Sequence, residues 1–327
     1  MIQKMDRHYT TLICGATFGG IGALLASPDD TLMVERTAMV GGEFIEAINP
    51  GRQGSLHFST SFGRRINEEL VARNLIEPAG GAIHLPALHP VLCRKLLDAS
   101  ASILLLTEVI SIKPHERGYE VTICNAAGWQ VFTASNILDT TTLRTSCPPQ
   151  QETNPVVRSK SVARSLNAYI LSNEKELALP PIEHPRVELV QGRFASEHIL
   201  KWRMAPDDPD DSHDLNGANI TDVSSSSNGS NITDGSNGIV DFTISDNNWL
   251  AARKDLVGFW AARPASLQPW TIAATATEFE YDAPVGASQI DERWHWLPSA
   301  SYDHPLSAME QGFIYRAMEA EIDNGNL

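Results

Sequence analysis

An α/β fold with a mainly parallel sheet is the architecture this sequence predicts, and three observations near its start predict it. A short apolar run, Thr11–Cys14, ends at a glycine cluster; small and aliphatic residues then continue to Ala26; a second apolar run, Thr31–Val34, ends at the acidic Glu35. Strand, glycine turn, helix, strand and acid fall within about 30 residues, the span of one βαβ unit.

The turn carries chemistry. In a G-x-G-x-x-G turn the first glycine makes the tight bend, the second lets backbone approach a diphosphate, and the third permits helix–strand contact. Here those positions are Gly15, Thr17 and Gly20. A helix amino end with free N–H groups suits an anion. A carboxylate about 20 residues further on suits the ribose hydroxyls, and Glu35 stands there. Thr17 departs from the pattern: its Cβ pushes backbone away from phosphate, while its hydroxyl offers a compensating hydrogen bond. The unit reads as dinucleotide-binding, with a Rossmann-like unit that has lost its nucleotide as the alternative.

Gly41-Gly42 opens a loop region rich in Asn, Pro, Gly and Ser through Ser61. Helical periodicity follows over Arg65–Asn74, with Ile66, Leu70 and Val71 inward, and over Pro90–Ala99, with Val91, Leu92, Leu96 and Leu97 inward. Four β-rich runs come next: Ile103–Thr107, Glu108–Lys113, Tyr119–Cys124 and Trp129–Thr133. Gly118 and Gly128 punctuate the last three as an antiparallel meander, and Ile137–Asp139 reads as one more core strand.

After Pro148-Pro149 the spacing predicts an amphipathic helix over Ser159–Asn173 and a strand over Val187–Val190. Ala205–Gly238 is a Ser/Asn/Gly-rich segment with an acidic start, read as a disordered insertion; its sequons at Asn219, Asn228 and Asn231 are accidents of composition. Structure resumes from Val240 with Trp249, Trp260, Trp270, Trp294 and Trp296, read as packing residues, with a flat aromatic pocket as the sharper alternative. A last helix covers Pro305–Ile322.

Composition excludes several classes. The net charge of −15 disfavours nucleic acid and anionic membrane as partners. Four cysteines, Cys14, Cys93, Cys124 and Cys147, form no C-x-x-C pair and suit a reduced compartment, with Cys14 and Cys124 buried. The polar start lacks a signal peptide's apolar core, and no run approaches the roughly 20 apolar residues of a membrane span, so a soluble cytoplasmic protein is expected. No tyrosine has lysine four residues on, which removes the short-chain dehydrogenase pair. There is no G-x-S-x-G elbow and no H-E-x-x-H helix. His84 and His89, five apart among prolines, are ordinary loop residues, and no metal is expected.

Leu12-Ile13-Cys14-Gly15 through Gly22, then Met33-Val34-Glu35-Arg36, then Met39-Val40-Gly41-Gly42, resembles the opening of FAD-dependent oxidoreductases of the glutathione-reductase type. His89-Pro90, Thr107–Ile110, the run Ile137–Thr141 and Trp296–Ala300 with the last helix are similar to later parts of that family. The match covers about 1–145 well and about 294–322 loosely. Two departures stand out: Thr140-Thr141-Thr142 lacks the family's glycine, and the late Gly-Asp pair is missing, so a looser grip on FAD is expected.

The resemblance implies a Rossmann-like FAD/NAD(P)-binding three-layer (ββα) domain with an inserted α+β substrate domain. The expected parts are residues 1–148, the inserted region 149–293 and a return over 294–327. It implies FAD as cofactor, bound through Gly15, Thr17, Phe18, Gly20, Glu35, Arg36, Gly41, Gly42 and Thr140, with Val109 holding adenine through its backbone. NAD(P)H as electron donor is left open. Glu43, Arg52, His57 and Arg64 are the candidate groups beside a small-molecule substrate, and no general base stands out. The implied function is flavin-mediated hydride transfer; the alternative is a relative that has lost flavin chemistry.

Overall fold

Parallel strands buried on both faces form the centre of the molecule. The computed structural model describes residues 3–51, 54–146, 164–172, 182–204, 243–283 and 285–323. The expected insertion at 205–238, Arg52, Cys147 and Pro148-Pro149 lie outside these residues. β1 (Gln3–Cys14) pairs in parallel with β2 (Thr31–Val34), and β2 with β3 (Ser102–Leu104). On the other side of β1 lies β6 (Gly128–Asp139), also parallel. The outer run of the expected meander and the expected core strand at Ile137–Asp139 are one strand, β6.

The first half of β6 pairs antiparallel with β5 (Gly118–Asn125), which pairs with β4 (Glu108–His115). Its second half pairs in parallel with β13 (Trp294–Trp296), which is flanked by the antiparallel β12 (Ser288–Asp291). Alternate residues then face two different cores, as a pleated strand requires. Leu12, Cys14, Leu32, Val34 and Ile137 pack toward the meander with Val121, Ile123 and Phe132. Ile13, Met33 and Leu138 face the helices.

The helix layer contains α1 (Phe18–Ala26), the one-turn α2 (Gly42–Ile45), α3 (Ser61–Ala72), α4 (Leu88–Asp98) and α6 (Pro305–Asp323). α1 and α6 cross at backbone contact. A Cβ on Gly22 would lie 1.8 Å from the Met309 carbonyl oxygen, and one on Gly312 would lie 1.9 Å from that of Gly19. α3 starts earlier than its apolar pattern suggests because Thr60 caps it, accepting from Gly63 N at 2.9 Å. On α4 the expected inward Leu97 is 72% exposed, since the buried stripe is completed by Leu88 instead.

The second sheet corrects the largest expectation. The segment read as the helix Ser159–Asn173 contains a strand, β7 (Arg164–Ser172). It pairs antiparallel with β9 (Glu197–Arg203), β10 (Trp270–Thr275) and β11 (Glu280–Tyr281), and β9 pairs with β8 (Val187–Gln191). Residues 165–170 of β7 are buried in succession. A run apolar on both faces mimics a helical stripe when read alone. α5 (Thr243–Ala261) covers this sheet through Ala252 and Leu256. Trp270, Trp294 and Trp296 are buried, the last two donating to Ser146 Oγ and the Thr141 carbonyl, so they pack the cores. Cys14 is buried, whereas Cys124 on β5 is only partly so. No helix among the described residues is long and apolar enough to cross a membrane.

Candidate functional site

The site grows from the turn between β1 and α1. Gly15 has φ of 98°, a conformation that a side chain disfavours, and its amide donates to the Val34 carbonyl at 2.8 Å. The chain thereby leaves β1 and enters α1 within three residues. Thr17, at the second glycine position, is the N-cap of α1: its Oγ1 accepts from Gly20 N at 2.9 Å and donates to Thr140 Oγ1 at 2.7 Å. The Thr140 hydroxyl also lies 3.1 Å from the carbonyl oxygens of Cys14 and Gly15. Thr141 packs over Gly15, whose added Cβ would lie 2.7 Å from its methyl. The side chains of Thr17, Thr140 and Thr141 thus close the floor of the turn.

Glu35 follows β2 as expected. Its carboxylate accepts from Ala16 N at 2.9 Å and Thr37 N at 2.7 Å, which fixes it beside the glycine turn. The neighbouring backbone is tied to the end of the parallel sheet, with Glu35 N donating to Leu104 O and Thr107 N to Glu35 O. Val109 lies just beyond, in β4, and Arg36 is exposed.

The first-turn amides of α1 are the groups expected to meet a diphosphate. Phe18 N donates to Glu43 Oε1 at 2.7 Å, and Gly19 N donates to Ser299 Oγ at 2.9 Å. Ser299 in turn donates to Glu43 Oε1 at 2.5 Å. Glu43 Oε2 is enclosed and has no hydrogen-bond partner among the described residues. Burial pushes the Glu43 carboxyl up to about 7, outweighing the Ser299 and Phe18 hydrogen bonds that favour its charged form; Glu35 pushes it the same way as burial. A negative group is what a helix amino end favours, and here the cradle holds a carboxyl oxygen from its own chain. Helix-end amides that take an anionic oxygen in this way are the donor type that suits the diphosphate of FAD.

Gly41 and Gly42 carry the chain over this cradle; Gly41 N donates to Ala16 O at 2.7 Å, and Glu43 follows directly. Glu43 was expected beside the substrate and instead lies at α1. His57 and Arg64 are exposed, Arg64 donating to the Phe58 and Ser59 carbonyls, and neither lines the cavity described next. Ser299 has no role in the sequence reading. Its partner Gly19 is 280 residues away, and only the similarity of Trp296–Ala300 to the family's return segment pointed toward it.

Between the two sheets lies a cavity of about 660 Å³. Arg164, Lys201 and Tyr281 line it from the second sheet, and Asn49, Ser301 and Tyr302 from the first half. Lys201 Nζ lies 2.7 Å from Glu280 Oε1, while Asn167 donates to Glu280 Oε2 at 2.6 Å and to the Ala47 carbonyl at 2.9 Å. Buried Asn167 thus ties the second sheet to the loop that follows α2. In that loop Ile48 is held at φ of 50°, an unusual conformation for a β-branched residue.

No protein-family model and no curated protein matches the chain. Solved structures do. An aklavinone-11 hydroxylase in complex with FAD and aklavinone superposes with a TM-score of 0.52 at 13% identity, over 98% of this chain and 64% of that one. Glycine oxidase from Geobacillus kaustophilus gives 0.57 at 11%, over 97% and 94%. The myxobacterial chondrochloren halogenase, a variant of the FAD-dependent halogenases, gives 0.56 at 11%, over 98% and 76%. The chain shares the fold of these proteins. Its three-layer ββα half and its added antiparallel sheet are the architecture that the sequence resemblance implied.

Proposed function

We infer that this chain is an FAD-dependent oxidoreductase acting on a small organic molecule. One arrangement carries the reading: the α1 amino end and the Glu35 carboxylate flank a single glycine turn, within a fold similar to flavin-dependent hydroxylases, oxidases and halogenases. Bound FAD would supply the hydride-transfer chemistry. The chain's own groups do the rest. Glu35 would accept hydrogen bonds from ribose hydroxyls, and the amides of Phe18 and Gly19 would hold the diphosphate. The cavity between the sheets, with Arg164, Lys201 and Tyr281 on one wall, receives and orients the substrate. Its mixture of cations, carboxylates and tyrosines suits a polar molecule.

A flavin absorption band in the purified chain, or saturable quenching of added FAD fluorescence, is the expected result. Glu35→Gln should weaken FAD by about tenfold, the effect of losing one charge-assisted hydrogen bond. Unchanged affinity removes the ribose role. A second reading, a nucleotide-free relative, is favoured by the internal partners of Phe18, Gly19 and Gly20. A chain that stays colourless and fails to bind FAD at any concentration supports that one.

A further inference from the structure

We propose that Glu43 is an internal stand-in for the dinucleotide's diphosphate, holding the α1 cradle in the free chain and competing with the cofactor for it. The proposal rests on the FAD-binding reading above and concerns the same cradle. Its basis is geometric. Phe18 N and Gly19 N, the two amides at the mouth of α1, both have partners, and both partners belong to one unit: Glu43 Oε1 receives Phe18 N and the Ser299 hydroxyl, while Ser299 Oγ receives Gly19 N. A diphosphate oxygen cannot reach Phe18 N while that carboxylate oxygen sits 2.7 Å from it.

The second observation is the other oxygen. Glu43 Oε2 is enclosed without a partner among the described residues. A structural carboxylate would ordinarily satisfy both oxygens, because an unpaired buried acceptor is costly. A carboxyl held through one oxygen only is one poised to leave. Its surroundings permit that. Neither α1 nor the turn Ser299–Ser301 carries a titratable side chain, and among the described residues no cation acts on Glu43. The charged group that acts on it is itself a carboxylate, Glu35 after β2. Glu43 sits in the single turn of α2, so rotation about its side-chain bonds frees the cradle without moving a long helix. Once it leaves, the Ser299 hydroxyl is released to donate to an incoming phosphate oxygen.

The test uses the full chain freed of bound nucleotide, with FAD and ADP as probes, in wild type, Glu43→Ala and Glu43→Gln. A stand-in makes two readouts move in opposite directions. Without nucleotide, Glu43→Ala should unfold at lower temperature, since the α1 amides lose their partner. With nucleotide, it should bind ADP and FAD roughly tenfold to hundredfold more tightly, the range expected for removing a competing hydrogen bond to a charged group. Glu43→Gln keeps the shape and an acceptor oxygen but not the charge, so it should fold like wild type and tighten binding by a smaller factor. Binding in both variants equal to or weaker than in a wild type that binds FAD overturns the proposal and leaves the function intact. Failure of all three to bind either probe overturns the FAD reading and the proposal together.

Discussion

The two sheets of this molecule are held together in different ways. In the parallel sheet, β1 and β2 are joined by one short helix, and their register, Thr11 opposite Thr31 through Cys14 opposite Val34, is set within a local unit. In the antiparallel sheet, β7 is enclosed by β9, β10 and β11, strands that arrive from far along the chain. The first arrangement is specified by turn chemistry. The second is specified by burial against partners that a local window does not contain. The junction between them combines polar ties, Asn167 to Ala47, Thr277 N to Glu46 O at 3.0 Å and Arg193 to Asn74 and Glu77, with a hydrophobic core to which both halves contribute.

That contrast can be broken at several strengths. Trp270, 1% exposed and edge-on to His198, anchors the antiparallel sheet. Trp270→Ala should cost about 3–5 kcal/mol in urea unfolding. A single transition shared by near-UV and far-UV signals is expected if the two sheets unfold together; two separated transitions would show that the junction couples them weakly.

The next effect belongs to the parallel half and depends on pH. Folded Glu43 holds its proton up to about 7, whereas in the unfolded chain it is released near 4.5. Between those values the folded state binds more protons, so stability falls as pH rises through the window, by up to about 3 kcal/mol. Glu43→Gln should flatten that slope in the nucleotide-free protein. An unchanged slope would place the titration elsewhere.

At the junction, Asn167→Ala strips Ala47 and Glu280 of a buried donor and should cost about 2 kcal/mol. It should also loosen residues 46–51 in hydrogen exchange, because Ile48 loses a group that helps hold its strained backbone. Protection unchanged there would mean that the loop is set by the parallel half alone. The smallest effect is on α4: Leu97→Ala, at a 72% exposed site, should change stability by less than about 0.5 kcal/mol. A larger loss would restore the inward position that periodicity assigned it.

The same contrast explains what was readable. β2 spans the residues that its apolar run marks, Thr31–Val34, and Glu35 stands where spacing put it, because both follow from one turn's geometry. Thr17 stands out from the glycine pattern, and its hydroxyl forms hydrogen bonds with Gly20 and Thr140 of its own chain. β7 was misread because its successive buried residues satisfy helical and strand templates alike. Leu97 was misread because one residue of helical phase separates the buried stripe from solvent.

Taken alone, the amino-acid sequence determined the βαβ unit, its glycine turn, the acid after its second strand and the order of elements around them. These are short-range features, encoded by residue types that few backbone conformations accept. Tertiary structure alone decided what meets the amides of α1. Glu43 and Ser299 reach that helix end from distant parts of the chain, one through the Gly41 amide bonded to Ala16 and the other through the Ser299 amide bonded to Thr140, and only the folded chain brings them to neighbouring N–H groups.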